Sequence, residues 1–357
     1  MNISMDSLLM LMFEKRASDL HMIPGAAPAM RVEGNLMRLD TDILNKQRCR
    51  ELIYSVLTDK QKEQFEAESE LDLSFAVQDL GRVRMNVYIH RSCVCAAFRS
   101  IPNEMKTFQD LGLPAAINDI VTFYAGLVLV TGPTGSGKST TLASVIDYLN
   151  QHRKSHIITI EDPIEYVHNH KNCLVSQREV GSDTASFPNA LKFAMRQDPD
   201  IILIGEMRDL ETIGAALTIA ETGHLVFATL HTPDAPQSIN RIIDVFPPYQ
   251  QNQVKSQLSM VLMAVLSQKL VTRSKHKGGG IIVAVEVLMV TAGVRNMIRD
   301  GKIEQIRSAM QSGGETHMQT MNMALCRLYK GGEITYDQAL EYSLDRKDML
   351  SVLGNKS

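Results

Sequence analysis

Residues 126–140 read GLVLVTGPTGSGKST, and the rest of the chain is read outward from them. Four apolar residues in a row, Leu127, Val128, Leu129 and Val130, run into Gly132-Pro133-Thr134-Gly135-Ser136-Gly137-Lys138-Ser139. That octet fits the phosphate-loop pattern G-x-x-x-x-G-K-[ST] at every fixed position. The glycines let backbone N–H groups turn inward around phosphate oxygens, and Lys138 neutralises the β and γ charge. Ser139 offers a hydroxyl to Mg²⁺, and the cradle extends to Thr140, where a helix (TTLASVIDYL, 140–149) starts with its positive dipole end at the phosphates. An apolar run without alternation reads as a buried parallel strand. Strand, loop and helix in this order predict a nucleotide phosphate site.

At 357 residues the chain has room for two domains of ordinary size. Net charge is -3 with 22% charged residues and no long single-sign run, which speaks against a nucleic-acid stripe or an acidic tail. The five cysteines (Cys49, Cys93, Cys95, Cys173, Cys326) form no C-x-x-C pair, so neither a disulfide framework nor a zinc site is expected and a reducing cytoplasm fits best. Cys93 and Cys95, two apart in a predicted strand, read as small buried residues. The first 20 residues, MNISMDSLLMLMFEKRASDL, lack a basic start and are interrupted by Glu14, Lys15 and Arg16, so they read as an amphipathic helix rather than a signal. No later stretch approaches the ~20 apolar residues that span a bilayer. Membrane association is therefore expected only through a protein partner, without direct insertion.

Residues 1–102 carry strand and hairpin signals around helical stretches. PAMRVEGNLMRL (28–39) reads as strand, Glu-Gly-Asn turn, strand; 48–57 and 60–67 read as helices; 71–77, 82–90 and 94–99 read as three alternating strands. This predicts a small α+β domain. Residues 103–125, with Gly112 and Pro114, read as a linker and helix. From 126 to 290 buried strands (155–161, 200–205, 224–230) alternate with helices (187–195, 210–221), the pattern of a doubly wound, mainly parallel ATPase core. Residues 291–357 read as four helical segments separated by Gly301, Gly313-Gly314 and Gly331-Gly332.

The strand Ile201 to Ile204 closes on Gly205-Glu206, the form of a second ATPase strand adjacent to the phosphate loop. A carboxylate at that strand end can hold a metal-bound water or orient the attacking one. The strand Ile157 to Ile160 ends in Glu161-Asp162-Pro163-Ile164-Glu165, and three acids in five residues are costly to crowd unless a cation or water network shares them. Glu165 is the candidate for polarising the attacking water, with holding Mg²⁺ as its alternative. Either Glu165 or Glu206 can be the base at this stage. His231, at the end of the strand expected to face the nucleotide, is placed to sense the γ-phosphate, whereas His224 at the other end reads as structural.

The set TGPTGSGKST, ITIEDPIEY, RQDPDIILIGEMRDLET and TGHLVFATLHT resembles the Walker A, Asp box, Walker B and His box of the secretion-type ATPases of type IV pili and type II secretion. SDLH near the start and the N-terminal strands match as well, so the resemblance covers nearly the whole chain. Within that superfamily the chain is most similar to the PilT-type retraction ATPases, on its short N-terminal region, its lack of a tetracysteine insertion, and GVRNMIRD (293–300). That octet resembles the retraction motif AIRNLIRE and departs from it at Gly293, Val294, Met297 and Asp300. Val294, Met297 and Ile298 stay on one helical face and Arg295 and Arg299 on another. The stretch MQTMNMALCRLYKGGEITYDQALEY is similar to the PilU accessory motors, which keeps that role as the alternative.

The resemblance implies a homohexamer of subunits with an N-terminal PAS-like domain and a RecA-like P-loop domain that rock against each other as ATP and Mg²⁺ are bound and ATP is hydrolysed. It implies that Arg84 and Arg99, with Arg196 just before Gln197-Asp198-Pro199, contact the phosphates; where some relatives carry a further arginine, this chain has Lys192. A guanidinium there would neutralise transition-state charge and couple chemistry to domain closure. The expected partners are other copies of the chain, an inner-membrane pilus platform protein and, as a candidate, a second retraction ATPase. The expected place is the cytoplasm, peripheral at the inner membrane. Assembly or secretion ATPases of the same fold are the nearest rival; a nucleic-acid translocase would need a basic surface that the composition does not supply.

Overall fold

The computed structural model describes residues 3–32, 34–77, 80–101 and 105–354. Glu33 of the expected Glu-Gly-Asn turn and the boundary at 102/103 lie outside them. The chain divides into two compact units: one of residues 1–104 together with Pro163–Val167, the other of 105–162 and 168–357. The short excursion carrying Glu165 thus groups with the first unit, a feature the linear domain reading does not contain.

The first unit runs α1 (Met5–Glu14), β1 (Asp19–Met22), β2 (Ala29–Val32), β3 (Asn35–Arg38), α2 (Lys46–Tyr54), α3 (Asp59–Glu68), β4 (Glu70–Val77), β5 (Gly81–His90) and β6 (Cys93–Ile101). The helix α1 is set by a capping box between Ser4 and Ser7, and its Met5, Leu8, Leu9 and Met12 are buried at the i, i+3, i+4, i+7 spacing of one face. The strands form one antiparallel sheet in the order β3-β2-β1-β6-β5-β4. Helix α2 packs on β6 through Cys49, Leu52 and Ile53, and both Cys93 and Cys95 are buried beneath. Burial raises the Cys49 thiol to about 12, so it is a packing residue rather than a nucleophile.

The second unit runs α4 (Ala116–Ile120), β7 (Gly126–Thr131), α5 (Lys138–His152), β8 (His156–Glu161), β9 (Leu174–Glu179), α6 (Phe187–Ala194), β10 (Ile201–Ile204), α7 (Leu210–Glu221), β11 (Leu225–Leu230), α8 (Ala235–Asp244), α9 (Pro248–Val261), β12 (Leu262–Thr272) and β13 (Ile281–Met289). The helices α10 (Ala292–Arg299), α11 (Ile306–Ser312), α12 (Met321–Lys330), α13 (Tyr336–Tyr342) and α14 (Arg346–Leu353) follow. The sheet order is β13-β12-β7-β11-β10-β8-β9, parallel throughout except for the antiparallel edge strand β13. Side chains alternate between two cores: Leu127 and Leu129 pack on one face with α7, α8 and α9, while Val128 and Val130 pack on the other with α4 and α5.

Two expectations are corrected. The strand before Glu206, β10, is not the neighbour of the phosphate-loop strand β7: β11 lies between them. The last helical segment is two helices, α13 and α14, because Asp345 accepts the N–H groups of Lys347 and Asp348 and starts a new helix without a glycine break. Strands β9, β12 and β13 and helices α8 and α9 add to the elements expected from the sequence. Helix α9 passes into β12 at Val261/Leu262 with no glycine or proline between them, so the sequence pattern does not show the junction. Among the described residues no helix is long and apolar enough to cross a membrane.

Candidate functional site

The parallel strands of the second unit end at one edge, and the residues beyond those ends carry the chemistry. Strand β7 feeds the phosphate loop, β8 ends at Glu161, β10 leads through Gly205 to Glu206, and β11 leads to His231. Because β11 sits between β7 and β10, it brings His231 beside Glu206: His231 Nε2 lies 3.0 Å from Glu206 Oε1. The backbone keeps Glu206 in place on both sides. Gly205 N–H donates to the Ile160 carbonyl at 2.8 Å and Met207 N–H to the Thr229 carbonyl at 3.1 Å.

In the loop, Gly132 has φ 138°, and a Cβ there would stand 2.3 Å from the Gln268 carbonyl oxygen and 2.6 Å from Ser136 Oγ. Only glycine fits that approach. Gly137, at φ 89°, precedes α5, and no side chain caps that helix, which leaves its first-turn N–H groups to an anion or to water. Lys138 is 8% exposed and folds back over the loop, its Nζ donating to the carbonyls of Gly132 at 3.0 Å and Pro133 at 3.1 Å. Ser136 Oγ is buried without a protein partner among the described residues. A buried orphan hydroxyl, an uncapped helix start and an enclosed ammonium fit phosphate oxygens as their shared partner. The Ser139 hydroxyl and the Glu206 carboxylate are the oxygen donors a hard divalent cation needs.

Glu206 is held by a third residue. Arg208 Nε lies 2.7 Å from Oε1 and its terminal nitrogen 2.7 Å from Oε2, a two-point fork. Burial pushes the Glu206 carboxyl up, but the hydrogen bonds from Arg208 and His231 outweigh it, and the group sits below its ordinary value. It is an anion at neutral pH. Glu161, by contrast, is committed to the sheet: Thr159 Oγ1 and Gln177 Nε2 both donate to its Oε1, at 2.7 and 3.0 Å.

A second cluster forms in the first unit. Strand register aligns Asp19 with Arg99 and Arg99 with Arg84 across β1, β6 and β5. Arg99 Nε donates to Asp19 Oδ1 at 3.0 Å. Burial raises the Asp19 carboxyl, the hydrogen bonds from Ser18 and Arg99 oppose this and together outweigh it, and the net displacement is downward. Arg84 and Arg99 line a cavity of about 210 Å³ with Ser100, Glu165 and Tyr166. Arg196 is exposed and stacks 6.0 Å over the Phe193 ring, next to a turn in which Asp198 takes φ 52° and the Gln197 carbonyl meets His156 Nδ1 at 2.9 Å. His224 closes the end of α7, its Nδ1 3.2 Å from the Ile219 carbonyl.

With this geometry in hand, the family model described as Type II/IV secretion system protein matches residues 2–331. The chain belongs to that family. It is 48% identical over 334 residues to the type IV pilus retraction ATPase PilT of Pseudomonas aeruginosa, covering 94% of this chain and 96% of the relative. It is 40% identical over 354 residues to the type IV pilus ATPase PilU of the same organism, covering 99% and 92%. A solved structure described as the pilus retraction motor PilT with bound ADP superposes with a TM-score of 0.91 at 48% identity, over 97% of this chain and 98% of that one.

The sequence reading missed Arg208, although it stands in the quoted stretch GEMRDLET two residues beyond Glu206, where side chains on extended backbone return to the same face. It also gave Asp19 no role; SDLH pointed to the place, but only strand register shows the arginine it holds.

Proposed function

We propose that this protein is a homohexameric motor that powers type IV pilus retraction by pilin disassembly, working in the cytoplasm against an inner-membrane platform protein. The chain is an ATP-hydrolysing enzyme of its family. The observation that carries the site reading is the convergence of phosphate loop, Glu206 and His231 at adjoining strand ends. Phosphoryl transfer needs positioning and charge neutralisation more than covalent help. Lys138, Ser136 and the loop N–H groups hold the phosphates. Ser139 and Glu206 are the residues that would hold Mg²⁺, which would supply charge neutralisation at the phosphates. His231 fixes the Glu206 carboxylate and relays its orientation to β11 and α8. By the resemblance to the secretion ATPases we assign Glu165 the role of base and Arg84, Arg99 and Arg196 that of cations for the γ-phosphate; Glu165, Arg84 and Arg99 line one cavity of the first unit. Lys192, exposed on α6, is assigned no phosphate contact.

The accessory role is the second reading, favoured by one observation: the match to PilU extends over 99% of the chain, including the C-terminal helices. A deletion strain separates the two. Loss of twitching with surface pili retained, restored by the wild-type gene and not by Glu206→Gln, is the expected result. Normal twitching in the deletion strain overturns the motor assignment.

A further inference from the structure

Glu206 has two carboxylate oxygens and a limited number of lone pairs to share. Oε1 accepts from His231 Nε2 at 3.0 Å and lies 2.7 Å from Arg208 Nε, while Oε2 accepts from the Arg208 terminal nitrogen at 2.7 Å. Two donors fill Oε1, and one lone pair remains at Oε2. A hard cation or its bound water must use that one position or displace a donor. The two donors are not equally placed. His231 is anchored at the end of a buried strand, and its side chain is 44% exposed; the Arg208 side chain is 71% exposed, on a flexible stem. Of the two, Arg208 is the donor that leaves at the lower cost. A second carboxylate, Asp162, follows the end of β8, and its backbone nitrogen lies 3.8 Å from where a Cβ on Gly205 would stand, three residues before Arg208; its charge favours the Arg208 cation.

We infer that Arg208 is an exchangeable positioning residue for the hydrolytic site: its fork sets the Glu206 carboxylate plane, competes with the divalent cation for it, and passes to Asp162 when the cation arrives. This rests on the reading of Glu206 as the carboxylate that serves metal and water. A bidentate guanidinium on a carboxylate that is 19% exposed is a stronger competitor than a surface ion pair. Its removal therefore makes cation binding tighter while it disorders the carboxylate, so binding and turnover move in opposite directions. A residue with a merely structural role would weaken both. Lysine keeps the charge but cannot make the fork, so charge alone does not substitute.

The test measures fluorescent mant-ADP binding against magnesium chloride concentration, together with ATP turnover, on the full-length protein carrying Arg208→Ala, Arg208→Lys, Asp162→Asn or Glu206→Gln. Arg208→Ala is expected to lower the half-saturating Mg²⁺ concentration about tenfold and to lower kcat at least about tenfold. Arg208→Lys should leave kcat low, and Asp162→Asn should raise the half-saturating Mg²⁺ several-fold because the departing guanidinium has lost its second site. Half-saturation in Arg208→Ala within twofold of wild type, or kcat restored by lysine, overturns the inference. An Asp162→Asn protein with unchanged Mg²⁺ dependence overturns the hand-over. If Glu206→Gln alters neither Mg²⁺ dependence nor turnover, the reading of Glu206 itself fails, a result distinct from a failure at Arg208.

Discussion

Glu286 sets two large effects against each other, and its replacement decides between them. The residue lies on β13, is 5% exposed, and accepts the N–H of Ala235 at 2.8 Å and of Met321 at 3.1 Å. These are the first residues of α8 and α12, so one carboxylate closes the starts of the helix that follows His231 and of a C-terminal helix. Two helix N-termini favour the anion; burial disfavours it. Burial wins, and the carboxyl is pushed up from 4.5 to about 7. A raised carboxyl binds its proton more tightly in the folded than in the unfolded chain, so stability is greatest below the unfolded value and falls as pH rises toward 7. At about 1.4 kcal/mol per pH unit, the loss reaches about 3 kcal/mol by pH 8 and about 1 kcal/mol by pH 5.5. Glu286→Gln does not titrate; its NH2 group cannot accept the N–H of Ala235 or of Met321, a cost that is the same at every pH. Urea unfolding followed by circular dichroism at a fixed protein concentration should therefore show the variant gaining about 2 kcal/mol on wild type between pH 5.5 and 8. A variant that is equally destabilised at every pH, or relatively weaker at pH 8, refutes the reasoning and shows that the helix termini outweigh burial.

His168 titrates in the opposite sense. It is buried, and desolvation lowers it from 6.5 to about 4, so its contribution is present above pH 6.5 and is lost as pH falls toward 4. His168→Gln should remove about 3 kcal/mol of that acid sensitivity, read as a flatter dependence of urea midpoint on pH between 6.5 and 4. Gly132→Ala places a Cβ 2.3 Å from the Gln268 carbonyl, so the loop must move by about 1 Å; mant-ADP affinity should drop about a hundredfold with an unchanged circular dichroism spectrum. Asp19→Asn removes the anion that holds Arg99, and steady-state ATPase should fall about tenfold with little change in Tm; unchanged turnover would detach Arg99 from the reaction.

The phosphate loop was legible because its geometry depends on glycine, lysine and hydroxyl at fixed spacing, all local. The strand leading to Glu206 was legible for the same reason, as an apolar run with an acid after it. Which strand lies beside which is set by crossovers and not by any local pattern, so the position of β11 between β7 and β10 was not readable, nor was the His231–Glu206 hydrogen bond that depends on it. Arg208 was visible as a letter but not as a partner, since an i, i+2 fork forms only if the chain stays extended past Gly205. Glu286 carried no signal at all: its partners are backbone N–H groups 51 and 35 residues away in sequence.

The central claim, a hydrolytic motor whose Glu206 serves metal and water, is tested most directly by Mg²⁺-dependent ATPase activity of the purified protein and of Glu206→Gln, each with its oligomeric mass. The account predicts a wild-type hexamer that turns over ATP and a Glu206→Gln hexamer of the same mass that binds mant-ADP without turnover. An intact wild-type ring that binds nucleotide and does not hydrolyse ATP would contradict it.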